Sequence, residues 1–141
     1  MVIRNLSTHA VLADHAELAD GFLSRLTGLL SRSSLGEGGA LMFPRCRSIH
    51  TCFMRFPIDV LFLKTAPGSK LQASSKNLQP AACSLQLASS SQPTRGVVVK
   101  LVHSLRPFRV VWAADADTVI ECPAGTVLRT DTKAGELLEI A

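Results

Sequence analysis

The stretch CRSIHTCFMRFPIDVLFLK, residues 46–64, decides how this chain is read. Its second half, PIDVLFLK, predicts a strand whose alternating faces are both apolar except at Asp59. Its first half, RSIHTCF, predicts another strand, and the two flank Arg55 and Phe56. With 46–54 extended, Cys46, Ser48, His50, Cys52 and Met54 share one face, and Arg47, Ile49, Thr51, Phe53 and Arg55 share the other.

Working outward, short β-compatible runs lie near 1–4 and 9–13, and ALMF predicts a buried strand at 40–43 ended by Pro44. From Asp20 the period changes: Phe22, Leu23, Leu26, Leu29 and Leu30 fall on one face of an amphipathic helix capped by Asp20 and ended by Gly36, Gly38 and Gly39. Arg25 lies near its apolar stripe, with the guanidinium drawn inward to a carboxylate or carbonyls, or with only its stem on the core. Residues 66–95 hold seven Ser, four Gln and three Pro with three charges, a composition too polar for a core element, read as a surface loop or insertion that could carry a short exposed hairpin. Order resumes with GVVVKLVHSL, FRVVWAA and DTVIEC as strands. PAGTVLRT then predicts one helical turn, and KAGELLEIA a glycine turn and a last strand. Many short strands and one long helix predict a mainly β fold, a compact antiparallel sandwich or barrel with one helix packed in the N-terminal half, as a single domain over 1–141 carrying an insertion at 66–95.

The 141 residues are 47% hydrophobic and 18% charged, a globular balance, with a core that is aliphatic because there are six Phe, one Trp and no Tyr. No run of 18 apolar residues and no signal-peptide pattern is present, so a cytoplasmic location and no membrane span are expected. The cysteines, Cys46, Cys52, Cys83 and Cys122, form no CxxC pair and are expected to be free thiols. The net charge of +4 is scattered, with only Arg45, Arg47 and Arg55 clustered, and no nucleic-acid partner is expected.

Geometry limits the chemistry of 46–59. At about 3.3 Å per residue Cys46 lies roughly 13 Å from His50 and roughly 20 Å from Cys52, too far to share an ion or form a disulfide on a straight strand. His50 and Cys52 could share a zinc only with ligands drawn from Cys83, Cys122, His103 or Asp59, none at a predictive spacing. No metal and no cofactor is predicted. A Cys52 thiolate with His50 as base needs contact at about 3 Å, which two residues on one strand face make only at a glance. Asp59, among apolar neighbours, is expected either at the strand entrance or partly buried, accepting hydrogen bonds from Arg25, Arg55 or backbone N–H groups because an unpaired buried carboxylate is costly. Glu121 is expected as an exposed turn carboxylate, His103 as a strand-end histidine, and Trp112 as largely buried.

The run RLTGLLSR, the glycine-flanked ALMFP, the stretch CRSIHTCFMRFPIDVLFLK, and LRPFRVVWAADADTVIECPAGT with AGELLEI resemble, in that order, the DUF192 family of bacteria and archaea. The resemblance implies a compact, mostly β fold of sandwich or jelly-roll type with one packed helix, and no established activity. The residues that carry it are Arg25 and Gly28, the His50 to Asp59 region, Pro107, and the turn Glu121, Pro123, Ala124 and Gly125. The chain departs from the family at HTCFMR, where an FWMKNT-like sequence is common, and at the 66–95 insertion. The function expected is a non-enzymatic accessory module binding a small molecule or a protein at a cleft rimmed by Arg47, His50, Arg55 and Asp59. The alternative is a minor hydrolase or metal-dependent enzyme using His50, Cys52 and Asp59.

Overall fold

The computed structural model describes residues 1–19, 34–66 and 93–141. The helix expected from Asp20, with Arg25 and Gly28 on it, and nearly all of the insertion expected at 66–95, with Cys83, lie outside the described residues; Thr94 and Arg95, at its end, belong to a strand.

The PIDVLFLK run forms the centre of the molecule, β6 (Ile58–Thr65), paired antiparallel with β7 (Thr94–Leu105) on one side and β9 (Thr118–Pro123) on the other. Its continuous hydrophobicity follows from that position. Ile58, Val60 and Phe62 point into one apolar cluster, and Leu61 and Leu63 into a second on the opposite face. Beyond β9 lie β4 (Gly39–Pro44) and then β3 (His15–Leu18); beyond β7 lie β10 (Leu137–Ile140), β1 (Ile3–Asn5) and β2 (Val11–Ala13). The order β2-β1-β10-β7-β6-β9-β4-β3 makes a large eight-stranded sheet that is mixed, because β3 runs parallel to β4.

The expectation of an antiparallel barrel is therefore corrected. No ladder joins the two edge strands, β2 and β3, which instead follow one another along the chain with Asp14 between them. The chain bends there because Gly38, at φ +75°, accepts the N–H groups of Asp14 and His15 at its carbonyl. The helix described is the single turn α1 (Thr126–Arg129), which enters through Gly125 at φ +91° and gets no side-chain cap from that residue.

The expected strand over 46–54 is also shorter than its alternation suggested. Only Ser48–His50 (β5) is extended, paired with β8 (Val110–Trp112) in a separate two-stranded sheet. Left-handed backbone at Arg45 (φ 54°) and Phe53 (φ 64°) bounds it on either side, so the period-two pattern lasts only three residues. Ile49 and Val111 pack inward against the cluster that holds Val60 and Phe62. Lys100 fixes this small sheet to β7 by donating from Nζ to the Trp112 carbonyl at 2.9 Å.

Candidate functional site

Asp59 lies inside the molecule, at 0% exposure, rather than on the rim of a cleft. The β6–β7 register steps from Ile58↔Leu105 to Val60↔Val102, so His103 and Ser104 together face one residue of β6, and that residue is Asp59. The extra residue makes a β-bulge, with Ser104 at φ 44°. Asp59 Oδ1 accepts the N–H of Ser104 at 2.8 Å, and Oδ2 accepts the N–H of Val127 at 2.9 Å. With Arg25 outside the described residues, backbone N–H groups are, among those described, the expected partners it has. They are the bulge amide and the second amide of α1, a donor that a helix leaves without an internal acceptor. The bulge also accounts for His103, which is exposed near the end of β7.

Glu121 corrects a second expectation. It sits within β9 at 6% exposure, not in an open turn, between Leu41 of β4 and Val60 of β6. Burial raises its carboxyl from the ordinary 4.5 to about 7. Next to it the Cys122 thiol is pushed up to about 12, chiefly by burial and secondarily by the Asp59 and Glu121 charges, which leaves it inert as a nucleophile.

The remaining candidates sit around β5. Arg47, His50 and Arg55 are exposed and Cys52 is half-buried, all in or next to β5 and the turn that follows it. The Cys46 thiol donates to the Ser48 carbonyl at 3.0 Å. Among the described residues no three His, Cys, Asp or Glu side chains are placed to hold a common ion. The structure thus keeps Arg47, His50 and Arg55 in one neighbourhood and sends Asp59 to the other face of β6. Two shallow clefts, of about 380 and 180 Å³, share Glu37 and Arg129 and include none of these four residues.

A feature the sequence reading missed is the company these residues keep. The pairs Ser48↔Trp112 and His50↔Val110 bring 45–56 against 106–113. On the outer side Phe53 is 74% exposed, Phe108 65%, Val110 62% and Trp112 65%. Trp112 was expected to be buried. It faces outward because Val111, the neighbour of opposite parity, takes the inward position in β8. Phe53 and Phe108 meet edge to face at 5.9 Å. Thr51, fully buried, clamps the two turns together. Its N–H donates to the Arg109 carbonyl and its Oγ1 to that of Arg106; in return, its Oγ1 accepts from Arg109 N–H and its carbonyl from Phe108 N–H. Arg47, Arg55, Arg106 and Arg109 border this face, and neither 45–56 nor 100–113 contains an Asp or Glu. The signal was present, but split between two segments that only the β5–β8 pairing joins.

Among the described residues no helix is long and apolar enough to cross a membrane. The fold is similar to that of a protein from Sinorhizobium meliloti 1021 provisionally assigned as a transcription regulator. The two share 20% identity and a TM-score of 0.65, over 98% of this chain and 89% of that one. It is also similar to a protein of unknown function from Novosphingobium aromaticivorans DSM 12444, with 18% identity and a TM-score of 0.62, over 98% and 81% of the two chains. At these identities the likeness is one of fold. No functionally curated protein matches the chain. The model of DUF192, an uncharacterized ACR, matches residues 3–140, and the chain belongs to that family.

Proposed function

We propose that the protein is a non-enzymatic binding module whose contact surface is the outer face of β5 and β8, bordered by Arg47, His50 and Arg55, and that its partner is anionic. The observation that carries this reading is the coincidence, on one face, of exposed Phe53, Phe108, Val110 and Trp112 with bordering arginines and no Asp or Glu within 45–56 or 100–113. Monomeric surfaces rarely expose contiguous apolar side chains of this size without using them. Arginine and aromatic side chains are also those that dominate binding energy at interfaces. Asp59 drops out of the expected rim, since both its oxygens are held by backbone amides in the interior. No observation favours the alternative hydrolase or metal-enzyme reading through His50, Cys52 and Asp59.

The test is association with a soluble polyanion, polyglutamate, followed by the emission of Trp112. The Arg106→Glu/Arg109→Glu variant should lose most of that association and a Lys133→Glu variant, altered at an exposed lysine elsewhere, little of it. Equal losses in both would mean that the net charge, and not this face, is responsible.

A further inference from the structure

We infer that the outer face of β5 and β8 docks on a lipid bilayer rich in anionic headgroups. This rests on the reading of that face as the binding surface and goes beyond it by naming what the surface meets.

The apolar part has the form of a shallow insertion surface. Phe53 and Phe108 each sit in a turn at left-handed backbone, φ 64° and 60°, and Thr51 bonds one turn to the other. Their rings brace one another edge to face. Val110 and Trp112 continue the same exposed surface along β8. Such side chains gain free energy at the boundary between headgroups and acyl chains, where an indole also finds partners for its N–H. Around them Arg47, Arg55, Arg106 and Arg109 are exposed with no acidic residue in either segment, and guanidinium groups bind phosphate oxygens in pairs.

Other occupants fit less well. Addition of a partner strand needs free backbone groups, yet the Ser48 carbonyl is taken by the Cys46 thiol and the Trp112 carbonyl by Lys100. A second copy of the chain would bring arginine against arginine. A single-stranded nucleic acid needs open ring faces for its bases. Here Trp112 offers one open ring, but Phe53 and Phe108 stand edge to face instead of as successive parallel platforms, and Val110 between Phe108 and Trp112 offers no ring at all.

The experiment is flotation of the full chain with phosphatidylcholine vesicles, with and without phosphatidylserine. Trp112, the one tryptophan of the chain, serves as the reporter. Binding is expected only to the phosphatidylserine vesicles, with a blue shift of Trp112 emission and weakening at high salt. Arg106→Gln/Arg109→Gln should weaken it about 25-fold, about fivefold for each basic side chain near an anionic leaflet. Phe53→Ser/Phe108→Ser should weaken it at least roughly tenfold, with an unchanged unfolding midpoint because both rings are exposed. Equal binding to both vesicle types, or no emission shift, overturns the inference. If polyglutamate or oligothymidylate binds through Arg106 and Arg109 while vesicles do not, the lipid assignment fails and the binding face stands. If inorganic phosphate alone shifts Trp112, a soluble anion is the ligand and the lipid assignment again fails. If vesicles, polyglutamate and oligothymidylate all fail to bind, both readings fall.

Discussion

Asp59 and Val127, 68 residues apart in sequence, meet where a carboxylate oxygen accepts the helix amide at 2.9 Å. The other oxygen holds the Ser104 amide of the β7 bulge, so one side chain fixes two irregular pieces of backbone to the central strand. In Asp59→Ala both amides would be left buried without acceptors. Hydrogen bonds to a charged group contribute about 1.5–3 kcal/mol each. Asp59→Ala should therefore cost about 3 kcal/mol or more and lower the thermal midpoint by roughly 10 °C. Asp59→Asn keeps one acceptor and should fall between the two. A midpoint within a degree of the parent protein in both variants would refute this role.

Glu121 predicts an unusual dependence on pH. Its carboxyl is raised in the folded protein to about 7 from 4.5, so the folded state binds the proton more tightly than the unfolded chain. Stability from this group is complete below the unfolded value and is lost as pH rises through the folded one, between about 4.5 and 7. Urea unfolding should show stability falling across that window. Glu121→Gln, which removes the titration, should flatten the profile and raise stability at pH 8, by on the order of 3 kcal/mol at most. A parallel pH profile in the variant would sink the assignment.

Thr51 is the residue whose role was least visible in advance. It reads as an ordinary strand threonine, yet its hydroxyl bonds Arg106 and Arg109 at 2.8 and 2.9 Å. Thr51→Val keeps the volume and removes both bonds, a loss of about 2 kcal/mol when the freed groups stay buried. Local opening should follow first, so amide exchange at Arg109 should quicken more than exchange in β6. Uniform exchange rates across the molecule would count against the clamp.

What could be read in advance was what depends on neighbours in the chain. The apolar run after Pro57 announced a strand apolar on both faces, and the Gly-containing stretches announced α1 and the turn before β10. That Asp59 needs hydrogen-bond partners was legible, because charge inside such a run must be compensated, but its full burial was not. Nor were the partners themselves, since the bulge that exposes the Ser104 amide arises from the β6–β7 register. The same limit hid the fate of Glu121, whose surroundings are Leu41 and Val60 on other strands. The reversed orientation of Trp112 was hidden likewise, because parity in a three-residue strand is set by whichever side chain the core accepts. The alternation in 46–54 misled for the opposite reason. The pattern persists in sequence after the backbone has turned at Phe53.

The strands either side of the insertion expected at 66–95 carry the last prediction. The β6–β7 ladder runs on to Thr65↔Gly96, and Ala66 N–H donates to the Arg95 carbonyl at 3.0 Å. The two chain ends are thus already held at hydrogen-bonding distance before residue 67 and after residue 92. A hairpin can be closed there by a short Asn- and Gly-containing turn. Shortening a connection from 26 residues to about four should lower the entropy cost of closure by about 1.5 kcal/mol. The shortened protein should unfold cooperatively, with a midpoint equal to or above that of the parent. Loss of the cooperative transition would mean that 67–92 packs as part of the core, and that the insertion reading of this serine- and glutamine-rich segment is wrong.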